Sequence, residues 1–155
     1  MIYHFLFKNP SVLIFCLLFT FYSCKKSVDY NQVDEQIIQQ YIADNNLNAQ
    51  PTGSGLYYVI DNQGNGAPPN LNSSVTVVYV GKLTDGTIFD QSNPLGATFP
   101  LANVIQGWQE GIPLFREGGS GMLLIPSSLG YGSQSVGNIP ANSVLIFEIS
   151  LIHVF

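Results

Sequence analysis

The residues best equipped for chemistry in this sequence are aromatic. Tyr79, Phe89, Phe99, Trp108, Tyr131 and Phe147 fall in the second half of the chain, most of them beside Gly- or Pro-rich connections. Any one of them alone reads as a core residue. Together they can line an aromatic pocket, the common form of a small-ligand site. Trp108, the only Trp, sits in Asn103 to Phe115, "NVIQGWQEGIPLF", where Val104, Ile105, Trp108 and Ile112 recur at helical spacing and share one face. Gly107 and Gly111 interrupt that same short helix.

Acid–base, nucleophilic and metal signatures are weak by comparison. Asp85, Asp90, Glu110 and Glu117 are dispersed among turns and a helix, with nothing to support a carboxylate pair for glycoside cleavage. His153 stands beside a C-terminal strand pattern and reads as a bystander, and one His builds no Ser-His-acid set. "GGSG" (Gly118 to Gly121) precedes a strand and is not followed by Lys-Ser/Thr, so it reads as a turn and not as a phosphate cradle. The formal charge of −5, with no basic stripe, argues against a nucleic-acid partner. No metal site is expected.

The elements that must position the aromatics are mostly strands. "LYYVI" (Leu56 to Ile60), "VTVVYVGKL" (Val75 to Leu83), "TIFD", "GMLLIP" (Gly121 to Pro126) and "VLIFEISLIHV" carry β-branched and aromatic residues bounded by turn formers. Val75, Val77 and Tyr79 share one face, as do Leu145, Phe147, Ile149 and Leu151. Asp85-Gly86 marks a hairpin. The Trp108 helix is the one element placed to cover the apolar face of the resulting antiparallel sheet. Asn103 is its expected N-cap, with Gln106 at capping-box spacing. The first-turn donors, the Ile105 N–H among them, are left without helical partners.

Upstream, Val33, Ile37, Ile38, Tyr41 and Ile42 predict one amphipathic helix, followed by a breaker-rich linker over Asn45 to Gly55. The first residues form a weakly basic start, an apolar run and Ser23-Cys24, the layout of a secretory signal. A small residue before Cys resembles a bacterial lipoprotein signal, which implies cleavage before Cys24 and its acylation. Phe21 and Tyr22 are bulkier than that signal prefers, and an uncleaved transmembrane anchor is the alternative. With Cys16 in the discarded run and Cys24 acylated, the mature body has no free thiol. The expected organisation is a signal peptide over 1–23, a lipidated tether with short helix and linker over 24–54, and the folded domain over 55–155.

Four motifs, "VVYVGKLTDGTIFDQS", "VIQGWQEG", "LLIPSSLGYG" and "IPANSVLIFEISLI", stand in the order and spacing of FKBP-type peptidyl-prolyl cis–trans isomerases. The sequence resembles that family from about Gly55 to Val154, and within it the bacterial, macrophage infectivity potentiator-like group. The resemblance implies an α+β fold, a twisted half-open antiparallel sheet wrapped around one short central helix. It implies that Trp108 floors a pocket whose walls are Tyr79, Phe89, Phe99, Val104, Ile105, Tyr131, Ile139 and Phe147. The Ile105 N–H and Tyr131 hydroxyl would hold substrate carbonyls, and Asp90 would sit at the rim. Asp90 has a second reading, as a group that orders the loop Gln91 to Pro94.

No cofactor is implied. The implied partners are proline-containing polypeptides, macrolide immunosuppressant-type ligands and, through the lipid, a membrane. The expected location is the cell envelope, at the outer membrane facing the periplasm or at the cell surface. Relatives of the infectivity-potentiator group dimerise through a long N-terminal helix. The predicted helix here is short, so a monomer is expected. A non-catalytic proline-binding or chaperone module is the alternative function. Asn138 replaces an apolar residue of many relatives, a change that bears on substrate preference more than on fold.

Overall fold

A computed structural model of the chain describes residues 28–155. The expected signal segment 1–23 and Cys24, the expected acylation site, lie outside the described residues. The first element is helix α1 (Tyr30–Asp44), opened by Asp29, whose side chain accepts the Asn31 N–H. Strands β1 (Gln50–Pro51), β2 (Tyr57–Asn62), β3 (Ser74–Leu83), β4 (Ile88–Gln91) and β5 (Ala97–Pro100) follow, then helix α2 (Gln106–Gly111) and strands β6 (Ser120–Ile125) and β7 (Leu145–Val154). They build a 7-stranded sheet in the order β1-β2-β6-β7-β3-β4, with β5 also paired to β3. Every pairing is antiparallel. This is the expected α+β arrangement of an open antiparallel sheet around one short central helix.

Alternation places Val75, Val77 and Tyr79 of β3, Leu123 and Ile125 of β6, and Leu145, Phe147, Ile149 and Leu151 of β7 on the inner face. There they pack with Leu56, Leu101, Trp108, Ile112 and Phe115 in the main core. The sheet is covered on its other face too, which the sequence reading did not anticipate. α1 lays Ile38 on Leu124, Val144 and Ile146, all of them buried, with Ile37, Tyr41 and Ile42 packed alongside. Leu124 and Ile146 are the apolar residues that break the alternation of β6 and β7. Each such side chain taken from water contributes about 1.5–3 kcal/mol, which is what docks the helix. The segment read as a linker also joins the sheet: Gln50 and Pro51 of β1 pair with Tyr58 and Tyr57 of β2.

The Trp108 segment is more broken than its spacing predicts. A 3₁₀ turn over Leu101–Asn103 comes first, Val104 and Ile105 are extended, α2 spans only Gln106–Gly111, and a second 3₁₀ turn covers Ile112–Leu114. Pro113 has no N–H to continue the α-helical ladder, so the helix tightens and stops there. Asn103 is not the N-cap. Ile105 holds that position and no side chain caps the helix. The Gln109 side chain reaches back instead, donating to the carbonyls of Val104 at 2.8 Å and Ala102 at 3.1 Å. Gly107 and Gly111 are explained by packing. A Cβ on Gly107 would lie 2.4 Å from Ile125 Cγ2, and one on Gly111 would lie 2.5 Å from Leu123 Cδ1. Without side chains there, α2 lies directly on β6.

Candidate functional site

β3 has two partners on one edge: β4 pairs with Val80 to Lys82, and β5 pairs with Ser74 to Val77. Between them the chain leaves the sheet opposite Tyr79. Ser92 closes that gap, its N–H donating to Tyr79 O at 3.0 Å and its hydroxyl oxygen accepting the Tyr79 N–H at 3.1 Å. Asp90, two residues before Ser92, then lies diagonal to Tyr79 on the same face, within the reach of long side chains. The Tyr79 hydroxyl donates to Asp90 Oδ2 at 2.7 Å.

Trp108 lies at the base of the hollow that results, with 4% of its surface exposed. Tyr79, Phe99 and Phe147 stand nearly perpendicular to the indole, at ring-centroid distances of 5.1, 5.8 and 5.2 Å. Edge-on contacts of this kind are favourable beyond the area they bury. A hollow of about 120 Å³ remains, lined by Tyr79, Asp90, Phe99, Val104, Ile105, Trp108, Tyr131 and Phe147. The Ile105 N–H meets no acceptor among the described residues. Neither does the buried Trp108 Nε1–H. The Tyr131 hydroxyl is likewise unengaged, on a residue 36% exposed.

Two of the expected wall residues stand off the hollow. Phe89 packs behind Phe147, with ring centroids 5.5 Å apart, and closes over Gly81. Ile139 is buried in the main core. Phe89 thus supports the lining from behind. Ser92 and Gln109, which fix Tyr79 and Val104, gave no signal in the sequence, because their partners are backbone atoms supplied by the fold.

The site is weakly charged. Burial first, then the hydrogen bond to Asp90 and the carboxylate's charge, push the Tyr79 hydroxyl far above the usual phenol range. Burial and then the Asp90 charge raise Tyr131 as well. Both phenols are therefore neutral donors at physiological pH. A wider cleft of about 590 Å³ lies between α1 and the turn Gly53 to Gly55, lined by residues such as Asn31, Gln32, Glu35 and Ser54. It has no aromatic wall. The aromatic hollow is the candidate site: small, mostly apolar, and ringed by a few hydrogen-bonding groups, it suits an apolar ring whose flanking carbonyls need donors.

The comparisons with known proteins point the same way. The profile of the family described as FKBP-type peptidyl-prolyl cis-trans isomerase matches residues 66–152. The Aeromonas hydrophila isomerase FkpA is 42% identical over 133 residues, 83% of this chain and 50% of its own length. The outer membrane protein MIP of Legionella longbeachae is 39% identical over 138 residues, 84% of this chain and 59% of its own. The chain thus spans about half the length of the curated relatives it matches. A crystal structure of the Pseudomonas syringae peptidyl-prolyl cis-trans isomerase superposes with a TM-score of 0.72 at 32% identity, covering 81% of this chain and 92% of that one. With the family profile spanning more than half of its length and an aromatic hollow built on its one indole, the chain belongs to the FKBP-type peptidyl-prolyl cis-trans isomerase family.

Proposed function

We propose that the chain catalyses cis–trans isomerisation of X–Pro bonds in extracytoplasmic proteins. The observation that carries this reading is the hollow over Trp108, with its unengaged donors on Ile105 and Tyr131. An X–Pro bond rotates over a barrier of roughly 18–20 kcal/mol because resonance flattens the amide. Uncatalysed exchange takes tens to hundreds of seconds. No covalent bond breaks, so neither a nucleophile nor an acid–base pair is called for.

We assign the roles that the family resemblance implies, and the lining of the hollow supports them. The pyrrolidine ring rests on the indole between Tyr79, Phe99 and Phe147. The Ile105 N–H and Tyr131 hydroxyl hold the carbonyls on either side. Asp90, fixed by Tyr79, sets the polarity of the rim. A twisted amide has lost resonance and is less dipolar than the planar one. A water-poor aromatic site therefore destabilises the planar ground state more than the twisted state. A rate factor of about ten thousand requires about 5.4 kcal/mol of such discrimination. Desolvation with one or two placed hydrogen bonds is of that size.

The test is a protease-coupled or NMR exchange assay on an X–Pro peptide, with Asp90→Ala and Trp108→Leu beside the wild type. Acceleration by wild type that falls in both variants is expected. Binding of the peptide with no acceleration leaves the alternative, a non-catalytic proline-binding or chaperone module. A macrolide immunosuppressant-type ligand is expected to compete for the same hollow. We also propose cleavage before Cys24, its acylation, and anchoring of a monomer at the envelope. The name of the Legionella relative, an outer membrane protein, supports the location. The mass of the membrane-extracted protein reads both cleavage and acylation, and light scattering reads the monomer.

A further inference from the structure

α1 and the loop that carries Tyr131 are joined by one buried carboxyl. Asp34, in the second turn of α1, is 1% exposed. Its Oδ2 accepts the Ser127 N–H at 2.8 Å and the Ser127 hydroxyl at 2.6 Å, across 93 residues of sequence. Its Oδ1 has no partner among the described residues. Burying a carboxyl with an oxygen left unmatched is costly, and the aromatic hollow makes no use of it. Ser127, itself 3% exposed, opens the 3₁₀ turn Ser127–Leu129. The carbonyl of Ser127 accepts the Gly130 N–H at 3.0 Å and the Gly132 N–H at 2.8 Å. Those two amides flank Tyr131. The Gly132 carbonyl accepts the Asn142 N–H at 2.8 Å, closing the loop at its base. Tyr131 is exposed, its hydroxyl has no partner among the described residues, and its neighbours Gly132 to Asn138 are nearly all exposed. The Gln134 N–H donates to the Tyr131 carbonyl at 3.3 Å, and with it the two shorter hydrogen bonds to Ser127 fix the backbone that carries that hydroxyl.

We propose that Asp34 is a positioning residue of the isomerase site: through Ser127 it holds the backbone on both sides of Tyr131, and so places the Tyr131 hydroxyl over the hollow. α1 is on this account a working part of the site. The proposal rests on the isomerase reading, in which Tyr131 holds a substrate carbonyl. A 1 Å error in such a donor is enough to weaken catalysis.

Two readouts on the mature chain test it. The first needs no substrate. Amide hydrogen exchange at Gly130 and Gly132 is expected to quicken at least tenfold in Asp34→Ala, while amides of β7 keep their rates relative to global stability. The second is a double-mutant cycle on kcat/KM for an X–Pro peptide. Asp34→Ala is expected to lower kcat/KM about fivefold in the wild-type background and hardly at all in Tyr131→Phe. Asp34→Asn, which keeps an acceptor oxygen, is expected to recover part of the loss. If Asp34→Ala does not fold, Ser127→Ala, which removes the shorter of the two hydrogen bonds, takes its place in both readouts with the same expectations in smaller measure. Unchanged exchange at Gly130 and Gly132, or a loss of kcat/KM that persists undiminished in Tyr131→Phe, overturns the proposal. A wild type that does not accelerate exchange of the peptide overturns the isomerase reading instead, and the amide measurement still decides whether Asp34 holds the loop.

Discussion

At the scale of single residues, the site turns on the pair Tyr79 and Asp90. Tyr79 is 8% exposed while Asp90 is exposed at the rim, and one hydrogen bond of 2.7 Å ties them. Removing the carboxylate by Asp90→Ala is expected to cost about tenfold in kcat/KM, or about 1.4 kcal/mol of transition-state stabilisation. The peptide-coupled assay checks it, with Trp108 fluorescence as the control for folding. The same pair sets a pH dependence. Below pH 10, the ordinary phenol value, Tyr79 is protonated both folded and unfolded. Above it the unfolded chain releases its proton first, because burial and Asp90 hold the folded pKa higher. The folded state then carries more protons, so stability is fully present below pH 10 and is lost as pH rises toward the folded value. Urea midpoints at about pH 8 and about pH 11 are expected to fall more for wild type than for Tyr79→Phe. An equal fall in both would assign the alkaline loss to other groups. Residue type marked Trp108, Tyr79 and Tyr131 in the sequence, and Asp90 came only with the family resemblance. Asp34, Ser127 and Gln109 were not legible, because each is polar in an unremarkable context and acquires its meaning from a partner that only the fold brings near.

At the scale of elements, the contact of α2 with β6 is the one that sets the depth of the hollow. Gly107 and Gly111 look alike in sequence, four residues apart on one helix face, yet they face different neighbours. A Cβ on Gly107 would meet Ile125 Cγ2 at 2.4 Å and Cδ1 at 2.8 Å, and one on Gly111 would meet both Leu123 methyls, at 2.5 and 2.6 Å. Ile125 and Leu123 are both fully buried, so neither gives way without disturbing the core. Overpacking costs about 1–3 kcal/mol, and Ala gains up to about 1 kcal/mol over Gly in a helix. Gly107→Ala and Gly111→Ala are therefore each expected to destabilise by roughly 1–2 kcal/mol. Urea unfolding with an unchanged slope measures both, and an alanine tolerated without loss at either position would contradict this account of the interface. The elements missed in the sequence are the edge strands. β1 contains Pro51 and β5 ends in Pro100, and Pro within a short run speaks against a strand unless it lies at an edge. The helix bounds failed because apolar spacing marks a face and not a backbone conformation: Val104 and Ile105 share the side of Trp108 although their backbone is extended.

At the scale of the whole molecule, a helix that precedes the matched family segment is locked to the sheet on the side away from the hollow. Ile38 is fully buried against Leu124 and Ile146, the Tyr57 hydroxyl donates to Glu35 Oε1 at 2.7 Å, and Gln39 donates to the same tyrosine oxygen at 2.8 Å. Trp108 reports from the opposite face. If α1 were a tether that merely rests on the domain, helix loss and exposure of the indole would occur at different urea concentrations. The packing predicts the reverse, since Ile146 on the helix side and Phe147 on the hollow side are successive residues of β7 and cannot be released separately. Far-ultraviolet circular dichroism and Trp108 fluorescence are expected to give coincident transitions, the mark of one cooperative unit. Ile38→Ala is expected to shift both together, by about 2–5 kcal/mol of stability, rather than the helical signal alone. A helical transition that separates from the fluorescence transition would mean that the domain folds without α1, and that the Asp34 link to the Tyr131 loop is dispensable for the fold.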